Sequence, residues 1–233
     1  MSRLPARSGA DIHLADAFEE GGCPICRELD RTEGAYLESL LAESVNDIGF
    51  RQALDAGRGF CAAHSRAVLE ADRRRSGSLG AAILLRASLV TRIRDLEAAH
   101  RARGRGRANR IADAARPPAC PVCARLARNE AGVLDGLAEQ VLDPAWAKVV
   151  ETAPFCLDHL LGLLARRPAT GAWGEIEDRQ LDRLRAMQDL LDRFAHASSQ
   201  DRAHLQTDEQ RASVDAAADL LGGERGRRRT RHR

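Results

Sequence analysis

The sequence predicts an all-α protein: two tandem repeats of a roughly three-helix unit, each held together by a zinc site of three cysteines and one histidine. Three observations support this prediction. Ala, Leu, Arg and Glu dominate the composition, and all four favour helix. Apolar residues recur at helical spacing, and no run of alternating β-branched residues is long enough to predict a sheet. The six cysteines fall in two sets at corresponding positions, which indicates an internal repeat.

Composition sets limits on the class of protein. The chain has 233 residues, of which 44% are hydrophobic, so a substantial core is expected. Aromatic residues make up only 3%, so aliphatic side chains must fill most of that core. The N-terminus lacks an apolar signal segment, and the longest purely apolar stretch, Ala81–Leu85, is far shorter than the ~20 residues of a membrane span. We therefore expect a cytoplasmic protein without a membrane partner.

The repeat is carried by two motifs. The first copy has Cys-Pro-Ile-Cys at 23–26 and Phe-Cys-Ala-Ala-His at 60–64, and the second has Cys-Pro-Val-Cys at 120–123 and Phe-Cys-Leu-Asp-His at 155–159. The gaps between the paired motifs are nearly equal, 34 and 32 residues. Four residues at equal offsets also recur: Leu29, Glu33, Leu37 and Leu40 correspond to Leu126, Glu130, Leu134 and Leu137. These correspondences indicate a duplication.

The helices can be placed in order along the chain. Residues 11–20 predict a short helix that Gly21 and Gly22 stop. In each copy an amphipathic helix follows the Cys-Pro-x-Cys motif, a second begins near Cys-x-x-His, and a third closes the copy. A break between the first two helices is expected at Gly57 and Gly59 in copy one, and at Asp143-Pro144 and Pro154 in copy two.

Basic stretches suggest where the copies begin and end. Residues 101–107 read Arg-Ala-Arg-Gly-Arg-Gly-Arg, and the residues after Gly222 are rich in arginine. We therefore expect four segments. They are a first repeat over 1–100, a basic linker over 101–118, a second repeat over 119–198, and a polar, then basic, disordered tail over 199–233.

The paired motifs have the chemistry of a zinc site. Zinc binds four thiolate or imidazole ligands in a tetrahedron. A Cys-x-x-Cys turn can supply two, and a Cys-x-x-His pair on a helix shares one face and supplies two more. The first predicted site is Cys23, Cys26, Cys61 and His64. The second is Cys120, Cys123, Cys156 and His159. Each is a complete shell, which is typical of structural zinc, so two zinc ions per chain are expected.

Other interpretations of the cysteines stay open. The motifs could form redox dithiols, an iron–sulfur cluster or buried free thiols, although free thiols do not account for the recurring histidines. Pairing across the copies is an alternative, with both Cys-x-x-Cys pairs on one ion. Adjacency in the sequence favours pairing within each copy. The aromatic residues before each Cys-x-x-His, Phe60 and Phe155, are expected to cover the metal.

The residues around the first site resemble a family of uncharacterised bacterial proteins. The stretches concerned are Gly-Cys-Pro-Ile-Cys at 22–26, Tyr-Leu-Glu-Ser-Leu-Leu at 36–41, Val-Asn-Asp at 45–47 and Gly-Phe-Cys-Ala-Ala-His at 59–64. The family pattern is a Cys-Pro-x-Cys start, a long helix and a Phe-Cys-x-x-His segment, often duplicated. The resemblance covers residues 11–195 and implies a helical fold and zinc, with no known activity.

No catalytic or cofactor-binding residues can be assigned. The sequence lacks a Gly-x-Ser-x-Gly elbow, a phosphate-binding loop and a His-Glu-x-x-His motif, so we do not expect an enzyme. The leading hypothesis is a zinc-stapled helical scaffold that acts through an unknown protein partner. A nucleic-acid-binding protein that uses its arginine-rich segments is an alternative, disfavoured by a net charge of only +2 and a pI near 8.3. A redox-responsive zinc switch is a third hypothesis.

Overall fold

The computed structural model describes residues 9–75, 77–168, 173–199 and 207–230. Within these ranges the chain forms eleven α-helices and one short π-helical segment, and no strand. The all-α prediction is confirmed. The helices are α1 Gly9–Glu19, α2 Pro24–Ser39, α3 Ile48–Ala56, α4 Ala62–Arg75, α5 Leu79–Arg101, α6 Gly104–Ala115, α7 Pro121–Gln140, α8 Pro144–Thr152, α9 Leu157–Leu164, α10 Trp173–Ser199 and α11 Asp208–Thr230. None of those described is long and apolar enough to span a bilayer.

The N-terminal helix and its stop were predicted correctly. Helix α1 ends at Glu19, and Gly21 and Gly22 both have positive φ values, 75° and 72°. Glycine adopts this left-handed conformation without steric cost, so the chain can turn sharply before Cys23. Helix α2 then begins at Pro24, whose fixed φ suits a first helical position. It continues into the π-helical segment Leu40–Ser44.

Each copy contains four helices where roughly three were expected. The additional helices are α3 and α8, each of nine residues. The carboxylate of Asp47 accepts a hydrogen bond from the backbone N–H of Phe50, and that of Asp143 accepts one from Ala145 at 2.9 Å. An aspartate cap stabilises a helix start by about 1 kcal/mol. Asp143-Pro144, interpreted from sequence as a break, is therefore the beginning of a helix.

The expected linker is also helical. Helix α6 lies within 101–118 and is joined to α5 by two residues, Ala102 and Arg103. The two helices form a hairpin, and the Arg92 guanidinium of α5 donates to the carbonyl of Ala114 in α6 at 3.1 Å. Arginine and alanine favour helix, and α5 provides a surface for α6 to pack on. From the sequence, this segment was predicted only as a basic linker, and no helix was placed in it.

The expected disordered tail contains α11, which packs on α9 and α10. Ser213, Ala217 and Leu220 are buried at helical spacing along it. This short buried stripe explains why the segment is ordered despite its polar composition. The expectation for residues 200–206 and 231–233 lies outside the described residues.

The chain divides into two compact units whose boundaries differ from the predicted repeats. Unit 1 comprises Met1–Asp30 and Glu130–Arg233, and unit 2 comprises Arg31–Asn129. The boundaries fall inside α2 and α7, so the basic segment 101–118 belongs wholly to unit 2. Unit 2 is therefore inserted in the sequence of unit 1.

The two cores differ in the side chains that fill them. In unit 1, Trp146 and Phe155 are almost completely buried, and the ring of Phe18 meets both edge-on at centroid distances of 5.9 and 6.1 Å. Such pairs add to the stabilisation that burial of the rings provides. In unit 2 the largest fully buried side chains are leucines, including Leu54 and Leu84. The prediction that aliphatic side chains fill most of the core therefore describes unit 2 better than unit 1.

Candidate metal centres

The eight predicted ligand residues gather into two groups, and each group lies within one unit. The unit 1 cluster is Cys23, Cys26, Cys156 and His159. The unit 2 cluster is Cys61, His64, Cys120 and Cys123. Within each cluster the four ligand atoms all lie within 4.8 Å of one another. Both clusters therefore have the three sulfurs and one nitrogen that were predicted.

The pairing of the motifs differs from the prediction. Each Cys-x-x-Cys lies with the Cys-x-x-His of the other copy. The predicted pairing within a copy was therefore wrong. The alternative, with both Cys-x-x-Cys pairs on one ion, was wrong as well. Helix length gives the reason. Residues 24–44 carry the chain about 30 Å from the first Cys pair, and the nine-residue α3 returns only about 14 Å. Helix α3 by itself is therefore too short to bring the next Cys-x-x-His back to the pair that precedes it in the sequence.

All four motifs begin in the same way at a helix start. The carbonyl of each motif's first cysteine accepts the first bond of its helix, from Arg27 N at 3.1 Å, Ser65 N at 2.9 Å, Ala124 N at 3.0 Å and Leu160 N at 2.9 Å. The second ligand follows three residues later, one turn along the helix. Two helix N-termini thus meet at each cluster, α2 with α9 and α4 with α7. Their free N–H groups and positive dipole ends stabilise thiolates.

The unit 1 cluster is arranged around one ring nitrogen. The Nδ1 atom of His159 lies 3.1 Å from the sulfur of Cys156, 3.3 Å from that of Cys23 and 3.4 Å from that of Cys26. The sulfurs of Cys26 and Cys156 are 3.9 Å apart. All four residues are buried.

The unit 2 cluster repeats these distances. The Nδ1 atom of His64 lies 3.1 Å from the sulfur of Cys61, 3.2 Å from that of Cys123 and 3.4 Å from that of Cys120. The sulfurs of Cys61 and Cys123 are 3.7 Å apart. Cys123 is exposed and Cys61 is half-buried, so this cluster is open to solvent on one side.

The distances fit a tetrahedral ion better than a set of hydrogen bonds. Zinc–ligand bonds of 2.3 Å to sulfur and 2.0–2.1 Å to nitrogen place two sulfurs about 3.8 Å apart and a sulfur about 3.5 Å from the nitrogen. The observed separations lie close to both values. A ring nitrogen makes a single hydrogen bond, whereas three sulfurs surround each Nδ1 atom. A central cation accounts for all of these contacts.

The thiols influence one another's protonation in both clusters. Hydrogen bonding from Cys156 and Cys26 lowers the pKa of Cys23 to about 3, and hydrogen bonding with Cys156 and Cys23 raises the pKa of Cys26. In unit 2, hydrogen bonding from Cys120 lowers the pKa of Cys61 to about 3, while the pKa of Cys120 is raised by the same contact. In each cluster, hydrogen bonds from neighbouring thiols therefore stabilise one cysteine as a thiolate. A bound dication would replace those protons and let every sulfur ionise.

A glutamate carboxylate lies beside the outer ring nitrogen of each cluster histidine. The Nε2 atom of His159 lies 3.3 Å from a carboxylate oxygen of Glu130, and that of His64 lies 3.5 Å from one of Glu33. A carboxylate on the outer nitrogen fixes the ring and its tautomer for metal binding through Nδ1. The alignment of the two copies paired Glu33 with Glu130 and assigned neither a role. Their common position, seven residues after the second cysteine of each Cys-Pro-x-Cys, was the signal that could have identified them.

The surroundings of the unit 1 cluster limit its exposure. Phe155, expected as apolar cover, is fully buried next to Cys156, and Phe60 is likewise buried next to Cys61 of the unit 2 cluster. Arg183 donates a hydrogen bond to the carbonyl of Phe155. Burial lowers the pKa of its guanidinium, and the nearby thiolates of Cys23 and Cys156 partly oppose that effect. Its positive charge offsets part of the negative charge of three thiolates.

The C-terminal helix also covers the unit 1 cluster. Gly223 has a left-handed φ of 66°. A Cβ atom at this position would lie 3.0 Å from the sulfur of Cys26 and 3.3 Å from that of Cys156. Only a glycine combines this conformation with so close an approach to the sulfurs.

One comparison with known proteins gave a match. The chain is similar to a family of unknown function (DUF6062) over residues 8–114, less than half of its length. Searches of curated proteins and of solved structures each found no match to the chain. The matched span contains the first Cys-Pro-x-Cys and the first Cys-x-x-His, which belong to different clusters. The similarity therefore includes half of each candidate centre.

Proposed function

We propose that this protein is a helical scaffold held by two structural zinc ions, one in each unit, and that it acts by binding a partner protein. One observation carries the proposal. In both clusters three cysteine sulfurs surround one histidine Nδ1 atom at 3.1–3.4 Å. The same arrangement occurs in both units, which supports a shared metal-binding design.

The donor set favours zinc and a structural role. Thiolate and imidazole ligands in a tetrahedron are those of structural zinc sites. Cys23, Cys26, Cys156 and His159 would hold one ion, and Cys61, His64, Cys120 and Cys123 the other. Four protein ligands fill the shell and leave no position for a substrate. The proposal is therefore a binding protein without catalytic activity.

Zinc would stabilise this fold by joining segments that are distant in the sequence. His159 lies 136 residues from Cys23, and His64 lies 59 residues from Cys123. Structural zinc supplies about 10–16 kcal/mol of apparent binding free energy in small zinc-finger peptides, and that energy favours the folded state. The leucine-filled core of unit 2 would benefit from such a link.

Metal analysis tests the proposal directly. The protein would be purified without added metal and examined by elemental analysis and visible absorption. We expect two zinc ions per chain and a colourless sample. Removal of the metal with a strong chelator should reduce the helical circular dichroism signal, and added zinc should restore it. Iron with visible absorption bands, or unchanged folding after complete removal of zinc, would contradict the proposal.

A redox-responsive switch is a second candidate, favoured by the exposure of Cys123. Its thiolate could attack a peroxide, releasing hydroxide and leaving a sulfenic acid. The Cys61 sulfur, 3.7 Å away, could then displace a second hydroxide and form a disulfide. Two electrons pass to the peroxide, and zinc leaves because two of its four ligands are lost. The buried unit 1 cluster would keep its zinc under the same conditions.

A further inference from the structure

Helix α5 carries an apolar stripe that faces solvent. Leu89 is 59% exposed, Ile93 45% and Leu96 62%, and their spacing places them in a line along one side of the helix. The opposite side of α5 is buried in the core of unit 2 through Ala81 and Leu84. A helix of a soluble protein usually turns only one face inward and keeps the other polar. An exposed apolar line of this kind marks a surface for a partner.

The same hairpin is strongly basic. Residues 79–116, here called the basic hairpin, contain nine arginines and three acidic residues, a formal charge of +6, whereas the whole chain carries +2. Some of these arginines have partners, such as Arg94 with Asp55 and Arg101 with Glu97. Four others are exposed and make no ion pair with any residue that the structure describes: Arg103, Arg105, Arg107 and Arg110. Positive charge is thus concentrated in the same hairpin that carries the apolar stripe.

We propose that the basic hairpin docks an acidic amphipathic helix of a partner protein. The partner's apolar residues, repeated at helical spacing, would lie on Leu89, Ile93 and Leu96. Its aspartates and glutamates would face the arginines of α6. The two helices would pack through their apolar faces, and charge complementarity would set orientation and partner choice. The inference rests on the proposed scaffold function and specifies the partner.

Two other occupants fit the surface less well. Single-stranded nucleic acid binds through bases stacked on aromatic rings, and residues 79–116 contain no Phe, Tyr or Trp. Duplex phosphates would pair with the arginines but would leave the apolar stripe uncovered. A second copy of the chain joined through the same face would place a charge of +6 against itself. An acidic helix satisfies both the apolar and the charged parts of the surface.

The test uses the full chain and a designed probe. The probe is a fluorescein-labelled peptide of about 18 residues, five helical turns, with leucines on one face and glutamates elsewhere. We expect saturable binding, measured by fluorescence anisotropy, that weakens as salt is added. A peptide of identical composition with its leucines scattered should bind at least about tenfold more weakly. Duplex and single-stranded DNA of similar charge are the competing probes.

Matched variants locate the binding surface. Ile93→Glu should weaken peptide binding at least about tenfold, whereas Leu161→Glu, at a residue 55% exposed on α9, should leave it unchanged. The double reversal Arg107→Glu with Arg110→Glu should weaken binding, and Arg74→Glu with Arg75→Glu should not. The two double variants change the net charge equally, so a difference between them reports position on the surface. All four variants should retain two zinc ions.

Several outcomes would overturn the proposal. Equal binding of the scattered peptide, equal effects of the matched variants, or no binding at about 100 µM peptide would reject an amphipathic helix as the ligand. Stronger binding of DNA, lost in the Arg107/Arg110 variant, would assign the hairpin to nucleic acid instead. Metal analysis of the same samples separates the two proposals. Two zinc ions without peptide binding would reject the docking surface alone, and peptide binding without zinc would reject the zinc scaffold alone.

Discussion

Glu130 places a carboxylate oxygen 3.3 Å from the Nε2 atom of His159, while the Nδ1 atom of the same ring faces three cysteine sulfurs. A carboxylate facing Nε2 favours the tautomer that carries its proton on Nε2, which leaves the lone pair of Nδ1 directed into the cluster. Glu33 has the same relationship to His64 at 3.5 Å. Each glutamate and its histidine belong to the same copy, although the metal ligands are exchanged between copies.

Replacement of this glutamate should weaken metal binding. In Glu130→Gln the amide holds the histidine ring less firmly and without a negative charge. We expect zinc affinity at the unit 1 cluster to fall by roughly ten- to a hundredfold, measured by competition with a chromophoric chelator. Glu139→Gln, at an exposed position on the same helix, is the control and should leave the affinity unchanged. Equal affinities for the two variants would mean that Glu130 does not support the ligand.

Double substitutions should reveal which motifs share an ion. Cys26→Ala should reduce the zinc content from two ions to one. Adding Cys156→Ala should leave one ion, because both residues belong to the unit 1 cluster. Adding Cys61→Ala should remove the second ion, because Cys61 belongs to the unit 2 cluster. Elemental analysis of the purified variants measures the difference.

The two double variants each lose two cysteines, so each is the control for the other. The pairing within copies that the sequence suggested gives the reverse result, with one ion in the Cys26/Cys61 variant and none in the Cys26/Cys156 variant. Observation of that pattern would reject the exchanged pairing. Circular dichroism would show whether each variant remains folded.

A methyl group at position 223 should disturb the unit 1 cluster. Gly223→Ala places a carbon 3.0 Å from the Cys26 sulfur and forces alanine into a left-handed conformation. With ψ at 162°, this backbone conformation is essentially restricted to glycine, and its cost alone is roughly 1–3 kcal/mol. We expect a lower free energy of unfolding and faster zinc release to a chelator. Gly222→Ala, where a Cβ atom would meet nothing within 4 Å, is the matched control and should show neither change.

Oxidation should distinguish the clusters. Under mild peroxide we expect release of one zinc ion per chain, with oxidation confined to Cys61, Cys120 and Cys123, because Cys123 is exposed and the unit 1 cysteines are buried. A zinc indicator measures the release, and mass spectrometry after alkylation identifies the oxidised cysteines. A thiol reductant should restore the bound ion. Simultaneous loss of both ions would show that burial does not protect the unit 1 cluster.

The two faces of α5 should respond differently to truncation. Leu84 is fully buried in unit 2, so Leu84→Ala should lower the free energy of unfolding by about 2–5 kcal/mol. Leu89 is 59% exposed, so Leu89→Ala should change it by no more than about 0.5 kcal/mol. Urea denaturation followed by circular dichroism gives both values. A large loss in Leu89→Ala would mean that the stripe contributes to the fold and is not a free surface.

Local patterns in the sequence predicted most of the helices and the ligand residues. The pairing of the motifs depended on distances through space, which those patterns do not give. The repeated motifs identified all eight clustered residues, because cysteines and histidines that recur together at matched spacing are characteristic of metal sites. Their pairing depended on the length of α2 against that of α3, which proximity in the sequence does not measure. Helices α6 and α11 were missed because arginine-rich composition was given more weight than helix propensity and the stripe of Ser213, Ala217 and Leu220.

The exchanged pairing nests one cluster inside the other along the chain. All ligands of the unit 2 cluster, residues 61–123, fall between the first and second halves of the unit 1 cluster. During synthesis the inner set is complete once Cys123 has emerged from the ribosome. The outer set is complete only once His159 has emerged, and Gly223, which lies beside its sulfurs, follows later still. With the proposed zinc ions, the unit 2 cluster could therefore take up its ion earlier in synthesis than the unit 1 cluster.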